Sequence, residues 1–196
     1  MYAALLGTYI VVVASIVSAL RYEDNPLHFK HHLASDFTEV NETLFVKTQS
    51  KRGNWGPEHR CQAMTKAPQN ESEVPAHFVY RLMYGNSRND TQAFNTTLTT
   101  GKTEPHESPN TLVYHSHTDG QSIELKLLFC DLPNGCFIVV AYNSSNGRGC
   151  RLFQTESTVN RPIPQVCLRV YRENCPRSTV QIYYPFCKTL LADYLP

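Results

Sequence analysis

The chain has 196 residues, with 18 Lys or Arg against 17 Asp or Glu and a formal net charge of +1 at pH 7. Because this charge is small and no basic cluster is present, the sequence argues against partners such as nucleic acid or an anionic membrane surface. Seven cysteines, six of them after residue 129, indicate a disulfide framework formed in an oxidising compartment.

The first 19 residues have the pattern of a secretory signal peptide. The apolar run Tyr9–Val17 has the length of an h-region, and Val17-Ser18-Ala19 offers the small residues that a signal peptidase reads. The alternative is a membrane anchor, for which the stretch is barely long enough. We expect cleavage after Ala19, one domain over residues 20–196, and a secreted, extracellular chain with no membrane partner after cleavage.

Five Asn-x-Ser/Thr sequons fit passage through the secretory pathway. We expect glycosylation at Asn41, Asn70, Asn89, Asn95 and Asn143.

Short runs rich in aromatic and β-branched residues, separated by polar turn clusters, make up most of the remaining chain. They predict strands near Thr43–Thr48, His59–Thr65, Ala76–Tyr84, Thr91–Thr99, Thr111–His117, Gln121–Phe129, Cys136–Tyr142, Cys150–Gln154 and Thr179–Tyr184. Turns are expected at Asp119-Gly120, Pro133–Gly135 and Asn146-Gly147. After the first turn, the alternation places a set of apolar side chains on a single buried face: Ile123, Leu125, Leu127 and Phe129.

Two segments break the β pattern and predict helices. Asp24–Ala34 reads as a short amphipathic helix, and Pro162–Asn174 as a second one that Pro176 stops. Eight or so antiparallel strands followed by a late helix predict an all-β, eight-stranded up-and-down barrel, whose closure removes exposed sheet edges and whose interior holds one small ligand. A two-sheet sandwich is the alternative.

No motif typical of catalysis is present, so we expect no enzymatic activity and no cofactor. His28, His31 and His32 stand at helical spacing and could bind a metal, but a solvated helix face is the favoured interpretation. His115 and His117 share a strand face and are expected at the surface or rim. Neither group has the closed Cys/His spacing of a zinc site, and no metal site is predicted.

The C-terminal half carries a specific arrangement of cysteines and aromatic residues: Cys136-Phe-Ile-Val-Val, Gly149-Cys-Arg-Leu-Phe153, Pro164-Gln-Val-Cys167, Asn174-Cys175 and Tyr184-Pro-Phe-Cys187. In this it resembles the salivary lipocalins of ticks, including the histamine-binding and lipid-binding members. The resemblance covers about Trp55 to Cys187. Gly53-Asn54-Trp55 is similar to the general lipocalin Gly-x-Trp, but it lies between predicted strands, so no role is assigned to it.

The resemblance implies three disulfides: Cys61–Cys187, Cys136–Cys167 and Cys150–Cys175. Spacing alone does not select these pairs, because six cysteines allow many connectivities. Cys130 is left over. A buried free thiol is the favoured interpretation, and an intermolecular bridge is the alternative.

Two departures from the family pattern bear on the ligand. In the histamine-binding relatives, an acid follows the late-strand cysteine and a Glu-Leu-aromatic unit occupies the next strand, which implies two inward carboxylates that pair with an amine. Here Phe137 follows Cys136, and Arg151 begins the second unit. Because alternate residues share a strand face, Arg151 points inward if Phe153 does, and its guanidinium would then repel an amine and grip a carboxylate. A register slip of one residue would instead direct it to solvent.

The remaining lining of the barrel is expected to be apolar and aromatic. Strand parity predicts the following ligand-binding residues: Phe78, Tyr80, Tyr84, Phe94, Tyr114, Leu125, Leu127, Phe137, Val139, Arg151 and Phe153. The alternative is that these side chains fill a solid core.

We therefore expect a secreted, monomeric lipocalin that sequesters a small host mediator without turnover, and thereby helps evade host inflammation and immune defence. An apolar or anionic lipid is the favoured ligand. The alternatives are the binding of a biogenic amine, histamine or serotonin, and a protein-binding immunomodulator that uses the barrel only as a scaffold.

Overall fold

The computed structural model describes residues 20–53, 55, 59–67, 77–115, 120–143 and 147–195. Within this part of the chain lie nine strands, β1 to β9 in chain order: Leu44–Ser50, Cys61–Lys66, His77–Gly85, Gln92–Gly101, Thr111–His115, Ser122–Asp131, Cys136–Asn143, Gly147–Thr155 and Thr179–Gln181. The first eight coincide with predicted strands over most of their length. The ninth is shorter than the predicted run Thr179–Tyr184.

The first eight strands form a closed antiparallel barrel. Each strand pairs with the next along the chain, and β1 closes the barrel by pairing with both β2 and β8. The short β9 pairs with the last three residues of β1. The predicted barrel is thus confirmed and the sandwich is wrong, because hydrogen bonding runs continuously around all eight strands.

A β-bulge in β6 reverses the side-chain alternation that the sequence predicted. The register shifts between Leu127 and Phe129, and an extra residue at such a point turns every later side chain to the other face. Leu127 therefore faces the interior as predicted, whereas Phe129 packs outside the barrel. The prediction that Phe129 shares the inner face is wrong, and Cys130 takes the inner position instead.

The N-terminal segment is broken into short turns rather than the predicted helix Asp24–Ala34. Two 3-10 turns, Tyr22–Asp24 and Pro26–His31, lead into the α-helix α1, Ala34–Thr38. A continuous helix cannot pass through Pro26, because the residue before a proline avoids the helical region, and Asn25 is extended with φ −87° and ψ 119°.

Two helices cover the outside of the barrel. The helix α2, Gln165–Asn174, ends at the predicted residue, and its buried face packs against the outer side chains of β6, β7 and β8. The helix α3, Phe186–Leu191, covers the outer faces of β1 to β3. It was not predicted, because six residues are too few to establish a helical period.

Three disulfides join these helices to the barrel. They are the pairs that the resemblance implied, and the first closes a sequence separation of 126 residues: Cys61–Cys187, Cys136–Cys167 and Cys150–Cys175. Each outer helix is therefore covalently fixed to the strands it covers.

The expected signal peptide, residues 1–19, lies outside the described part of the chain, as do Asn70, His117, Asp119 and Asn146. Among the described residues, no helix has both the length and the apolar character needed to cross a membrane.

Candidate functional site

The inner face of the barrel carries one continuous apolar cluster. Two of the predicted lining residues, Phe78 and Tyr114, are partly buried and pack against it. Six more are fully part of it: Tyr80, Leu125, Leu127, Phe137, Val139 and Phe153. Strand parity thus placed these residues on the inner face, while their contact with a ligand stays a prediction.

Two predicted lining residues, Tyr84 and Phe94, lie apart from this cluster. They stand at adjoining ends of β3 and β4, where their rings meet edge to face with centroids 6.0 Å apart. The Tyr84 hydroxyl donates to Gln92 Oε1, and its ring packs against His59. Both therefore lie at the barrel rim, on the same strand faces as Leu82, which packs against the inner cluster, and their contact with a ligand stays a prediction.

An aromatic floor closes the barrel at the end where α1 lies. The ring of Phe37 is 1% exposed and has its centroid 5.6 Å from Phe137, 5.9 Å from Phe153 and 6.4 Å from Tyr80. Cys130 belongs to the same inner cluster as a free, buried cysteine, and burial raises the pKa of its thiol well above the usual value.

Arg151 is a buried cation on the inner wall. It pairs in register with Val139 of the inner cluster on one side and with Gln49 on the other, and it is 8% exposed. Its Nε and Nη2 donate to Gln49 Oε1 at 3.1 and 2.9 Å, and the guanidinium carbon lies 4.5 Å from the centroid of the Trp55 ring. No register slip occurs between Arg151 and Phe153, so the two side chains share the inner face.

No described carboxylate neutralises this cation. Burial lowers the pKa of Arg151 to about 10, and the nearby Tyr114 offsets only part of that effect. Within the described residues, Nη1 of Arg151 has no hydrogen-bond partner. The one buried carboxylate described, Glu23, lies outside the barrel, where Arg148 Nε and Nη2 donate to it at 2.9 Å each. Because an unpaired interior charge is costly, Arg151 is suited to receive an anion.

A second polar group on the inner wall is unsatisfied. The Tyr80 hydroxyl is buried among apolar side chains, has no hydrogen-bond partner in the described part of the chain, and has its pKa raised by burial. Buried tyrosine hydroxyls normally find a partner. A ligand oxygen near the aromatic floor would provide one.

Sequence reasoning missed Gln49 and Trp55. A bulge between Val46 and Thr48 turns Gln49 to the inner side, and single-strand periodicity cannot locate such a bulge. Trp55 follows β1 rather than lying on a strand, so parity does not apply to it. The available signal was that Trp55 is the chain's single tryptophan.

The N-terminal histidines do not form the solvated helix face that was predicted. His32 is fully buried, its Nδ1 lies 3.2 Å from His106 Nε2, and burial lowers its pKa to about 4. His28 stacks on Tyr22 with ring centroids 3.9 Å apart. His115 is exposed, as expected for a rim position. In the described ranges, no group of three His, Cys, Asp or Glu could hold a metal ion.

Three of the predicted glycosylation sites are exposed: Asn41, Asn89 and Asn95. Asn70 and the side chain of Asn143 lie outside the described residues. Modification of all five stays a prediction.

The sequence profile of a family described as "Tick histamine binding protein" matches residues 22–189. The chain belongs to this family. Its fold and family are those of a small-molecule-binding lipocalin. A search of curated protein sequences gave no significant match.

Solved structures similar to this tick histamine-binding family member include Japanin from Rhipicephalus appendiculatus bound to cholesterol. That likeness has a TM-score of 0.54 at 18% identity and covers 73% of this chain and 92% of Japanin. Lobster apocrustacyanin A1 is similar with a TM-score of 0.47 at 10% identity, over 71% of this chain and 74% of that one. The likeness to Japanin supports the lipocalin-like fold.

Proposed function

We propose that this barrel binds and sequesters a small ligand with an apolar body and a carboxylate, such as a fatty-acid-derived host mediator. The single observation that carries the proposal is Arg151, a buried guanidinium on the inner wall that no described carboxylate neutralises. A bound anion would remove the cost of keeping that charge in an apolar interior.

The surroundings of Arg151 suit a carboxylate in particular. Gln49 accepts from Nε and Nη2, and the Trp55 ring lies beneath the guanidinium, so the plane of the group is fixed before a ligand arrives. Nη1, which has no partner among the described residues, can donate a hydrogen bond to a bound carboxylate. A planar guanidinium held in one orientation loses little freedom when it binds a carboxylate, which favours affinity.

The rest of the inner wall suits an apolar body. Aromatic and aliphatic side chains line it down to the floor at Phe37, and the Tyr80 hydroxyl is one unsatisfied polar group near that floor. A ligand held by its carboxylate at Arg151 would extend over these side chains, and a hydroxyl or keto oxygen on its chain would satisfy Tyr80.

The rival ligand is a biogenic amine, which the description of the family as histamine-binding favours. The inner wall argues against it, because Phe137 and Arg151 occupy the positions where the resemblance implies acids. An ammonium beside Arg151 would be repelled, and the one buried carboxylate among the described residues, Glu23, lies outside the barrel, where Arg148 neutralises it.

In this proposal the chain is secreted and acts on the host by removing a mediator stoichiometrically, without turnover. The test is calorimetric titration of the disulfide-bonded chain with oleate, with oleyl alcohol as its uncharged match, with cholesterol, and with histamine. We expect oleate to bind more tightly than oleyl alcohol, and the difference to vanish in Arg151→Gln.

Two results would overturn the proposal. Equal affinity for oleate and oleyl alcohol would show that Arg151 does not bind the carboxylate. Saturable histamine binding tighter than micromolar would show that the ligand is a biogenic amine. Absence of binding to all four compounds would favour a protein-binding role for which the barrel is only a scaffold.

A further inference from the structure

A groove on the outside of the barrel has the size of a ligand site. It lies between α2 and the adjoining strands β1 and β9, and its volume is about 620 Å³. Sites for small molecules commonly fall between about 300 and 1,000 Å³. The groove is separate from the inner wall, because β1 stands between them. Thr48 of β1 lines the groove, whereas the next residue, Gln49, is turned to the inner side by the bulge that precedes Thr48.

Three cations and no carboxylate line this groove: Lys47, Arg172 and Arg177. Among the described residues, neither arginine forms an ion pair. Lys47 donates to Val159 O at 2.5 Å, a neutral carbonyl that leaves its charge uncompensated. The groove is therefore positively charged although the chain as a whole is nearly neutral.

The wall of the groove is partly apolar. Ile163, Leu168 and Pro176 line it together with the ring of Tyr171, which is 5% exposed. Burial raises the pKa of Tyr171 to about 12, and a hydrogen bond with the Thr48 side chain offsets this in part. The wall therefore offers apolar and aromatic surface beside the cations.

The groove is held in shape before any ligand binds. The Cys150–Cys175 disulfide fixes the end of α2 to β8. Arg148 donates to Asn174 O, and the Cys175 amide donates to Tyr171 O at 2.9 Å. Two of the carbonyls at the helix end, those of Tyr171 and Asn174, are therefore already hydrogen-bonded.

We propose that this external groove is a second ligand site, for a soluble organic anion that combines an aromatic or aliphatic body with a sulfonate or carboxylate. The anionic group would lie between Arg172 and Arg177, and the apolar body would pack on Leu168 and Pro176. Charge complementarity selects an anion, and the mixed wall selects an amphipathic one.

The test is a fluorescence and calorimetric titration with anilinonaphthalene sulfonate, compared with the uncharged N-phenyl naphthylamine, which has the same ring system without the sulfonate. We expect two equivalents of the sulfonate to bind the unmodified chain. Arg172→Gln with Arg177→Gln should weaken one of them by about tenfold while leaving the naphthylamine unaffected. Thr179→Phe, which fills the groove from β9 and keeps both arginines, should remove the same equivalent.

Two matched variants separate this site from the barrel and from net charge. Arg88→Gln with Arg169→Gln makes the same charge change at exposed positions outside the groove, and should leave both equivalents in place. Arg151→Gln should affect only the other equivalent. The proposal is overturned if the groove variants retain both equivalents, or if the Arg88 and Arg169 variant loses one as well. Neither result would bear on ligand binding inside the barrel.

Discussion

Replacing Arg151 with methionine removes the inner charge while keeping a long side chain, and we expect the ligand-free protein to become more stable. The pKa of this buried guanidinium falls from 12.5 to about 10, a change that corresponds to about 3 kcal/mol. Because the folded pKa lies below the unfolded one, this cost is present at every pH below about 10. The substitution also removes two hydrogen bonds to Gln49 and the contact with Trp55, which reduces the net gain to about 1 kcal/mol.

The matched control is Arg148→Met on the same strand. Arg148 is paired with Glu23, so its removal leaves a fully buried carboxylate without its cation, and we expect a loss of about 3 kcal/mol. The two substitutions delete the same chemical group from β8, yet the first should raise the melting temperature by about 3 °C and the second lower it by about 10 °C.

Differential scanning calorimetry at neutral pH, with and without oleate, checks the predictions for Arg151→Met and for Arg148→Met. Oleate should raise the melting temperatures of the unmodified chain and of Arg148→Met by more than it raises that of Arg151→Met, because the stabilisation grows with the affinity of the ligand for the folded form. A lower melting temperature for Arg151→Met than for the unmodified chain would show that Arg151 is a structural residue, and the reasoning from its unpaired charge would fail.

Three further outcomes follow from buried groups. The pKa of His32 is lowered to about 4, below the value of about 6.5 in an unfolded chain, so urea unfolding should show full stability above pH 6.5 and a loss approaching 3 kcal/mol near pH 4, which His32→Phe should abolish. Replacing Cys61 and Cys187 together with alanine should lower the free energy of unfolding by about 4 kcal/mol, and an unchanged urea midpoint would contradict this. Cys130 should resist a thiol reagent in the native chain and react once the chain is unfolded, whereas a disulfide-linked dimer on a non-reducing gel would refute its burial.

The eight strands of the barrel could be predicted because alternation and turn chemistry act over a few neighbouring residues. Asn134-Gly135 shows this directly: Gly135 adopts φ 61° and its amide donates to Leu132 O, as a tight turn between β6 and β7 requires. The prediction of one continuous N-terminal helix was wrong for the opposite reason. Its apolar spacing was present, but Pro26 prevented the backbone from following it.

The candidate site was only partly predictable, because bulges are decided by packing between strands. Parity assigned Arg151 and Phe153 to one face, and the structure shows them there since no register shift separates them. It failed at Phe129 and gave no indication of Gln49, because a bulge precedes each. Trp55 could not be placed at all, since a residue between strands has no face until the barrel closes.

The two arginines of β8 differ in whether the described chain neutralises their charge. Arg148 points outward, where Glu23 from the N-terminal segment neutralises it and anchors that segment to the barrel. Arg151, three positions along, points inward, where the described chain offers only neutral acceptors, Gln49 and the Trp55 carbonyl. A fold that supplies a buried carboxylate to one arginine and none to the other leaves the second charge uncompensated. That missing negative charge is the property a sequestered anion would supply.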